Sequence, residues 1–132
     1  MSAESEVRTI IQNWAKAVSA GDRRAILAHH SSDVLMFDFP GAVKGLDASD
    51  KTWDFFFTDS LGPISFVPRE IAVSANDDIA FVSCMVQCEG TSGGHVDFRL
   101  TTGLRKTGGK WIIVHEHHSV PTKEERFIGP SS

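Results

Sequence analysis

The chain has 132 residues, of which 41% are hydrophobic and 23% are charged, as is usual for a globular protein. This length suits a single domain over residues 1–132, because a chain of this size buries about two thirds of its unfolded surface. Thirteen basic and seventeen acidic residues give a net charge of −4 without a basic stripe, and we therefore expect no nucleic acid as a partner.

The N-terminal segment MSAESEVRTI carries acidic residues where a secretory signal needs a basic start and an apolar run. No stretch of the sequence approaches the roughly 20 apolar residues that cross a bilayer. We therefore expect a cytoplasmic protein with no membrane partner.

The first element is an amphipathic helix, whose apolar residues recur three or four positions apart, at Val7, Ile10, Ile11, Trp14 and Val18. Ser2 is positioned to cap this helix and Gly21 to end it, which gives about five turns. Asp22 is positioned to cap a second, shorter helix over residues 23–30, in which Ile26, Leu27 and His30 are the candidates for burial.

A strand is predicted over residues 33–39, where the sequence is DVLMFDF, and Pro40-Gly41 stops it. Residues 42–45 are a candidate short return strand. A third helix follows over residues 48–60. Asp47 is its expected cap, and its aromatic residues Trp53, Phe56 and Phe57 share one face.

From Leu61 onward apolar and polar residues alternate, which is the period of β-strands. Four long strands are predicted, over residues 63–74, 79–90, 95–107 and 110–120, with turn-forming segments between them. Pro68 is expected on an edge strand or at a bulge. Cys84 and Cys88 would lie about 13 Å apart on one strand, beyond the roughly 7 Å limit for a disulfide, so we expect two buried thiols.

This order of elements predicts an α+β fold. We expect a cone-shaped, curved antiparallel sheet of four long strands, plus a short strand or hairpin, packed around three N-terminal helices. Residues 120–132 form a C-terminal tail in this prediction. A sheet that curves around helices leaves a hollow, and its mouth is the expected ligand site.

Several segments together resemble a known family. They are WAKAVSAGDRRAILAHHSSDVLMFDFP, FRLTTGLRK and GGKWIIVHEHHSVP, and they resemble the nuclear transport factor 2-like superfamily, with the SnoaL-like ketosteroid isomerase homologues as the nearest group. The resemblance implies a cystatin-like roll and a homodimer formed through the convex sheet face. In that superfamily one pocket serves isomerases, dehydratases, cyclases and epoxide hydrolases. A similar C-terminal motif also occurs in an assembly domain of calmodulin-dependent kinase II, so the fold does not name the reaction.

Comparison with ketosteroid isomerases places one of three catalytic groups in this chain. The resemblance puts Asp38 at the position of their general base. Their oxyanion-hole tyrosine corresponds to Trp14, and their protonated aspartate falls near Thr101 or Thr102. Since the chain contains no tyrosine, it lacks the strong donors that a dienolate oxygen needs. We therefore do not expect steroid isomerisation by that mechanism.

The segment VHEHHS, residues 114–119, places His115 and His117 on one face of the last strand. If residues 107–109 form a three-residue hairpin loop, Arg99 lies opposite His117 and could hold a carboxylate or a polarised carbonyl beside it. Glu116 and His118 would then lie on the convex side. A two-residue Gly-Gly turn separates Arg99 from His117 instead, and Arg99 could also form a surface pair with Asp97 or Glu116. The resemblance leaves the pocket-facing side open.

Other candidate residues each have a structural and a functional interpretation. The spacing of His115 and His117 occurs in zinc sites, but no third ligand is evident, and we expect no metal. Trp14, Trp53 and Phe57 either fill the core or line an aromatic pocket in which the two indole N–H groups orient a carbonyl. Asp38 either faces the hollow, where desolvation would raise its pKa, or caps the turn at Pro40-Gly41.

The leading hypothesis is a lyase or isomerase without metal or organic cofactor, acting on an apolar compound that bears a carbonyl or carboxylate. Asp38 or His117 would move the proton and Arg99 would position an oxygen. Four further residues would contact the compound, namely Trp14, Trp53, Phe57 and His115. The alternative is a ligand-binding or dimerisation module without catalysis, and a homodimer is expected in either case.

Overall fold

The computed structural model describes residues 2–121. Nine elements follow one another in this range: α1 Ala3–Ala20, α2 Arg23–Leu27, β1 His30–Phe37, β2 Ala42–Lys44, α3 Leu46–Thr58, β3 Ser60–Ala75, β4 Ile79–Thr91, β5 Gly94–Thr107 and β6 Lys110–Ser119. The predicted α+β class is confirmed. The tail was predicted over residues 120–132; Val120 and Pro121 lie outside any helix or strand, and the rest of it lies outside the described residues.

Local capping fixes the first two helices. Ser2 Oγ accepts a hydrogen bond from the Ser5 backbone N–H at 3.1 Å, and Gly21 ends α1 with a left-handed φ of 69°, as predicted. The Asp22 carboxylate accepts from the Ala25 N–H at 3.1 Å and starts α2. That helix is three residues shorter than predicted, because the His29 carbonyl accepts a hydrogen bond from Ile113 N–H at 2.6 Å and the chain joins the sheet.

The third helix begins two residues earlier than predicted. Gly45 is its N-cap residue and makes no side-chain capping bond. Asp47 therefore does not cap α3, and the prediction was wrong. It lies in the first turn instead, where its negative charge interacts favourably with the unpaired N–H groups of the helix start.

Six strands form one sheet in the order β2-β1-β6-β5-β4-β3. Neighbouring strands are antiparallel except β1 and β6, which are parallel. This one parallel pair departs from the antiparallel sheet that the sequence predicts. Pro68 lies on β3, an edge of the sheet, where a residue without an N–H is tolerated as expected.

The helices cover the inner face of the sheet, where the core lies. Trp14 and Val18 of α1 belong to a buried cluster with side chains of β4 and β5, and Val7 and Ile11 belong to a second cluster further along. Cys84 and Cys88 are free and buried, as predicted. Within the described part of the chain, no helix has both the length and the apolar character needed to cross a membrane.

Candidate functional site

A cavity of about 560 Å³ opens at one end of the inner face. Its apolar walls are largely aromatic and consist of Met36, Phe39, Pro40, Val43, Trp53, Phe55, Phe56, Phe66 and Phe98. Five polar residues also line it, namely Asp38, Lys51, Thr52, Asp59 and His118. Mostly apolar walls with a few polar groups are typical of small-molecule sites.

A β-bulge decides which side chains of β6 reach this cavity. Gly108 and Gly109 form a two-residue turn, with φ values of 59° and 78°, between the paired residues Thr107 and Lys110. The register then shifts by one residue at Val114, because Leu104 pairs with Ile113 but Gly103 pairs with His115. The shift reverses which residues of β6 face inward.

Because of this shift, Glu116 and His118 face inward, whereas the prediction placed them on the convex side. Both are buried, whereas His117 is exposed. The predicted register of Arg99 opposite His117 is also wrong, since Arg99 pairs with Ser119 and His117 pairs with Thr101. The three-residue loop on which that register depended is not formed.

The inward-facing carboxylate of Glu116 joins two imidazoles. His118 Nε2 lies 3.0 Å from Glu116 Oε1, and His30 Nε2 lies 2.5 Å from Glu116 Oε2. The side chains of His30, Glu116 and His118 are at most 8% exposed. We call these residues the histidine–glutamate trio.

The charge of Glu116 follows from opposing effects. Burial alone would raise the pKa of this carboxyl, but hydrogen bonds from His118 and His30, together with the attraction of either ring when it is protonated, outweigh burial and lower its pKa. An ionised carboxylate only accepts hydrogen bonds. Both imidazoles therefore donate through Nε2–H.

This arrangement leaves His118 Nδ1 with a lone pair when the ring is neutral. Within residues 2–121, no side chain or backbone group hydrogen-bonds to that nitrogen. The imidazole stacks on Phe98 with ring centroids 5.5 Å apart and an interplanar angle of 9°, and it forms part of the cavity lining. His118 is therefore an imidazole of fixed orientation at the edge of an aromatic cavity.

Asp38 lies beside His118. Phe37 pairs with His117 in the parallel β1–β6 ladder, so the next residues on the two strands, Asp38 and His118, occupy neighbouring positions, and both line the cavity. Asp38 also belongs to the turn, because its carboxylate accepts the Phe39 N–H at 2.8 Å. The two alternative interpretations of Asp38 are thus compatible, and its catalytic role stays a prediction.

The structure does not bring His115, His117 and Arg99 into the cavity. His115 Nδ1–H donates to the Leu35 carbonyl at 2.8 Å, and the rings of both histidines contact Phe37. Arg99 is exposed and donates to Ser119 Oγ at 3.2 Å. The roles predicted for these three residues have no support from this geometry. No group of three His, Cys, Asp or Glu side chains in residues 2–121 is arranged to hold a metal ion.

The predicted aromatic contacts are divided between cavity and core. Trp53 lines the cavity, but Trp14 and Phe57 do not; they pack against Trp53 with ring centroids 6.1 Å away in each case. Both indole N–H groups are buried without a hydrogen-bond partner in the described chain. An indole N–H sealed in this way cannot reach a carbonyl in the cavity.

Sequence reasoning missed His30, Lys51, Phe98 and the inward direction of Glu116 and His118. For His118 no local signal existed, because a two-residue turn without the bulge would pair the buried Leu100 with His117 and turn His117 inward instead. For His30 there was only its expected burial. Its contact with Glu116 spans 86 positions of the chain, and no local pattern reports such a pair.

Comparison with known proteins supports the fold. The sequence profile of the SnoaL-like domain matches residues 7–123. An NTF2-like protein of unknown function from Pseudomonas putida KT2440 is 31% identical, over 93% of this chain and 89% of its own, with a TM-score of 0.85. A protein of unknown function with a cystatin-like fold from Nostoc punctiforme PCC 73102 is 16% identical, over 93% of this chain and 96% of its own, with a TM-score of 0.80.

A third solved structure, a candidate dehydratase of the NTF2-like family from Streptomyces avermitilis, is 15% identical, over 88% of this chain and 94% of its own, with a TM-score of 0.76. No curated protein matches the sequence significantly. The NTF2-like, cystatin-like roll predicted from the sequence resemblance is confirmed.

Proposed function

The chain belongs to the SnoaL-like domain family, and within that family we propose that it is an acid–base enzyme, a lyase or isomerase acting on an apolar, carbonyl-bearing compound. The proposal depends on one observation above all: an imidazole that lines an aromatic cavity is held by a buried, ionised carboxylate. Such a carboxylate fixes the tautomer of the base and stabilises the imidazolium that forms when it takes a proton.

The proposed reaction begins with a proton on the carbon next to the carbonyl. His118 Nδ1 takes this proton, and the electrons of the broken C–H bond move to the carbonyl oxygen as an enolate. Return of the proton at another carbon gives an isomer. Alternatively, a β-hydroxyl group takes back from His118 the proton that the ring has received and leaves as water, which gives a conjugated carbonyl compound.

The enolate oxygen needs a positive or hydrogen-bonding partner as its charge develops. Among the residues of the described chain that line the cavity, Lys51 is the one lysine or arginine. It lies on α3, where Arg23 pairs with Asp50 at 2.7 Å and with Asp54 at 3.1 Å. These neighbouring acids are therefore engaged elsewhere, and Lys51 is the group we assign to the substrate oxygen.

Exchange of deuterium from solvent into 2-tetralone, an aryl-fused ring ketone, tests proton abstraction without knowledge of the natural substrate. We expect the wild-type chain to accelerate exchange at the carbons next to the carbonyl, as followed by NMR. His118→Asn should reduce the rate at least a hundredfold, in line with the usual contribution of a general base. The matched control is His117→Asn on the opposite face, which should keep the wild-type rate. Equal loss in both variants, or no acceleration by the wild type, would refute the proposal.

A second candidate function is assembly through the outer face of the sheet, by formation of a homodimer. It is favoured by large apolar side chains that stay exposed there on β4, because Ile79 is 53% and Phe81 is 54% exposed. Sedimentation at micromolar concentration should then report a dimer for the wild type and a monomer for Phe81→Lys. A monomeric wild type would contradict this function and leave the catalytic proposal intact.

A further inference from the structure

His30 is a second imidazole on the carboxylate that holds His118. Its side chain is completely buried, and it comes from β1, whereas Glu116 and His118 come from β6. It does not line the cavity and cannot touch a molecule bound there. The proposed function therefore gives His30 no direct part, although it occupies one of the two oxygens of Glu116.

Because His30 shares the Glu116 carboxylate with His118, it can act on His118 indirectly. A carboxylate that accepts hydrogen bonds at both oxygens interacts less strongly with either donor than a carboxylate with one donor, because its charge is divided between them. The contact from His30 Nε2, at 2.5 Å, is shorter than the 3.0 Å contact from His118 Nε2. His30 is therefore placed to compete with His118 for the charge of the Glu116 carboxylate.

We propose that His30 is a positioning residue that sets the basicity of His118, by fixing the Glu116 carboxylate and taking up part of its charge. In the absence of His30, Glu116 would stabilise the His118 imidazolium more strongly, and the base would stay protonated at higher pH.

Within residues 2–121, three ionisable groups besides His118 line the cavity. They are Asp38 from the end of β1, Lys51 of α3 and Asp59 at the end of α3. On the β5 side, Phe98 stacks on it and Leu100 pairs with it, and neither carries a charge. These groups are the same in all variants of His30, so a change in the His118 titration can be assigned to His30.

The inference rests on the proposed function only in taking His118 as the proton-transfer group, and its test does not need turnover. We would titrate His118 by NMR in four chains: wild type, His30→Leu, His30→Gln and His29→Gln. Leucine removes the donor to Glu116, and we expect the pKa of His118 to rise by about one unit. Glutamine keeps an N–H donor and should restore most of the wild-type pKa. His29 is exposed, and its variant should titrate as the wild type does.

An unchanged pKa of His118 in a folded His30→Leu chain would overturn the proposal, and so would equal shifts in the leucine and glutamine variants. If the leucine variant does not fold, the tautomer of His30 in the wild type tests the contact with Glu116 on which the proposal depends. Long-range proton–nitrogen correlation spectra should show His30 as the Nε2–H tautomer, and an Nδ1–H tautomer would overturn the assignment. Lack of deuterium exchange into 2-tetralone, by contrast, would count against the proposed function and leave these measurements valid.

Discussion

Replacement of Glu116 by leucine should destabilise the fold strongly, because it leaves two buried imidazoles without their acceptor. Glu116 is 2% exposed and bonds to His30 and His118. Removal of one partner from a buried ionic group costs about 3–5 kcal/mol. Since the Nε2–H groups of both histidines remain in the core without an acceptor, we expect the free energy of unfolding to fall by an amount near the upper end of this range. Glu116→Gln keeps the volume and one acceptor, and should cost about half as much.

The pH dependence of stability provides an independent test of the role of Glu116 in the histidine–glutamate trio. The pKa of Glu116 is lowered on folding from its ordinary value of 4.5. The stability that it contributes is therefore fully present above about pH 4.5 and is lost as the pH falls through the folded-state pKa. The free-energy difference between wild type and Glu116→Gln should shrink below pH 4.5, by at most about 1.4 kcal/mol per pH unit.

Urea unfolding, followed by tryptophan fluorescence between pH 7 and pH 3, measures both effects. The matched control is His117→Leu on the exposed side of the same strand, which should change the unfolding free energy by no more than about 0.5 kcal/mol. A Glu116→Leu chain as stable as the wild type at pH 7, or a constant difference in unfolding free energy between wild type and Glu116→Gln below pH 4.5, would contradict this role of Glu116.

A glycine of β4, an exposed phenylalanine at the cavity and the two buried thiols can each be tested in the same way. Gly90→Ala should cost about 2–4 kcal/mol in urea unfolding, because the added Cβ would lie 2.4 Å from the Pro63 carbonyl oxygen at a φ of +107°; Gly93→Ala, whose Cβ meets its neighbours at 3.7 Å, should be nearly neutral. Phe55 lines the cavity and is 80% exposed. Phe55→Ala should therefore weaken the binding of 2-tetralone, measured by calorimetry, with little loss of stability. An unchanged affinity would contradict the place of Phe55 in the site. Burial raises the pKa of Cys84 to about 11 and also raises that of Cys88. Since the thiolate is the reactive form, both thiols should react with a disulfide reagent only after the chain unfolds. Rapid labelling of the folded chain would contradict this prediction.

Much of the fold could be predicted because its signals are local. Ser2 and Asp22 act on N–H groups three residues away, and alternation of apolar residues identifies a strand without knowledge of its neighbours. The end of α2 could not be predicted in this way. It depends on the pairing of His29 with Ile113, which lies far away in the sequence and exists only once the sheet has formed.

The candidate site was harder to predict, because it depends on register. Asp38 was placed at the hollow by the family resemblance, whereas its position at a strand end suggested a turn cap, and Trp53 was placed there by its aromatic helical face. The histidines were assigned to the wrong faces because side-chain direction in a strand has a period of two, and one extra residue at Val114 inverts everything after it. Trp111 and Ile113, before the bulge, are buried, and so are Glu116 and His118 after it. An unbroken strand would bury one of these two pairs and expose the other.

The histidine–glutamate trio is difficult to explain by stability alone. Replacement of a buried ionic group by apolar side chains of similar volume is often neutral or stabilising by about 1–4 kcal/mol, and His30 Nδ1 remains buried without a hydrogen-bond partner in the described residues. The bulge at Val114 adds an unpaired residue to the ladder. An apolar strand without a bulge would avoid both costs. What the bulge and the trio achieve together is to hold one imidazole in a fixed orientation at the edge of an otherwise aromatic cavity, which is a requirement of proton transfer and not of folding.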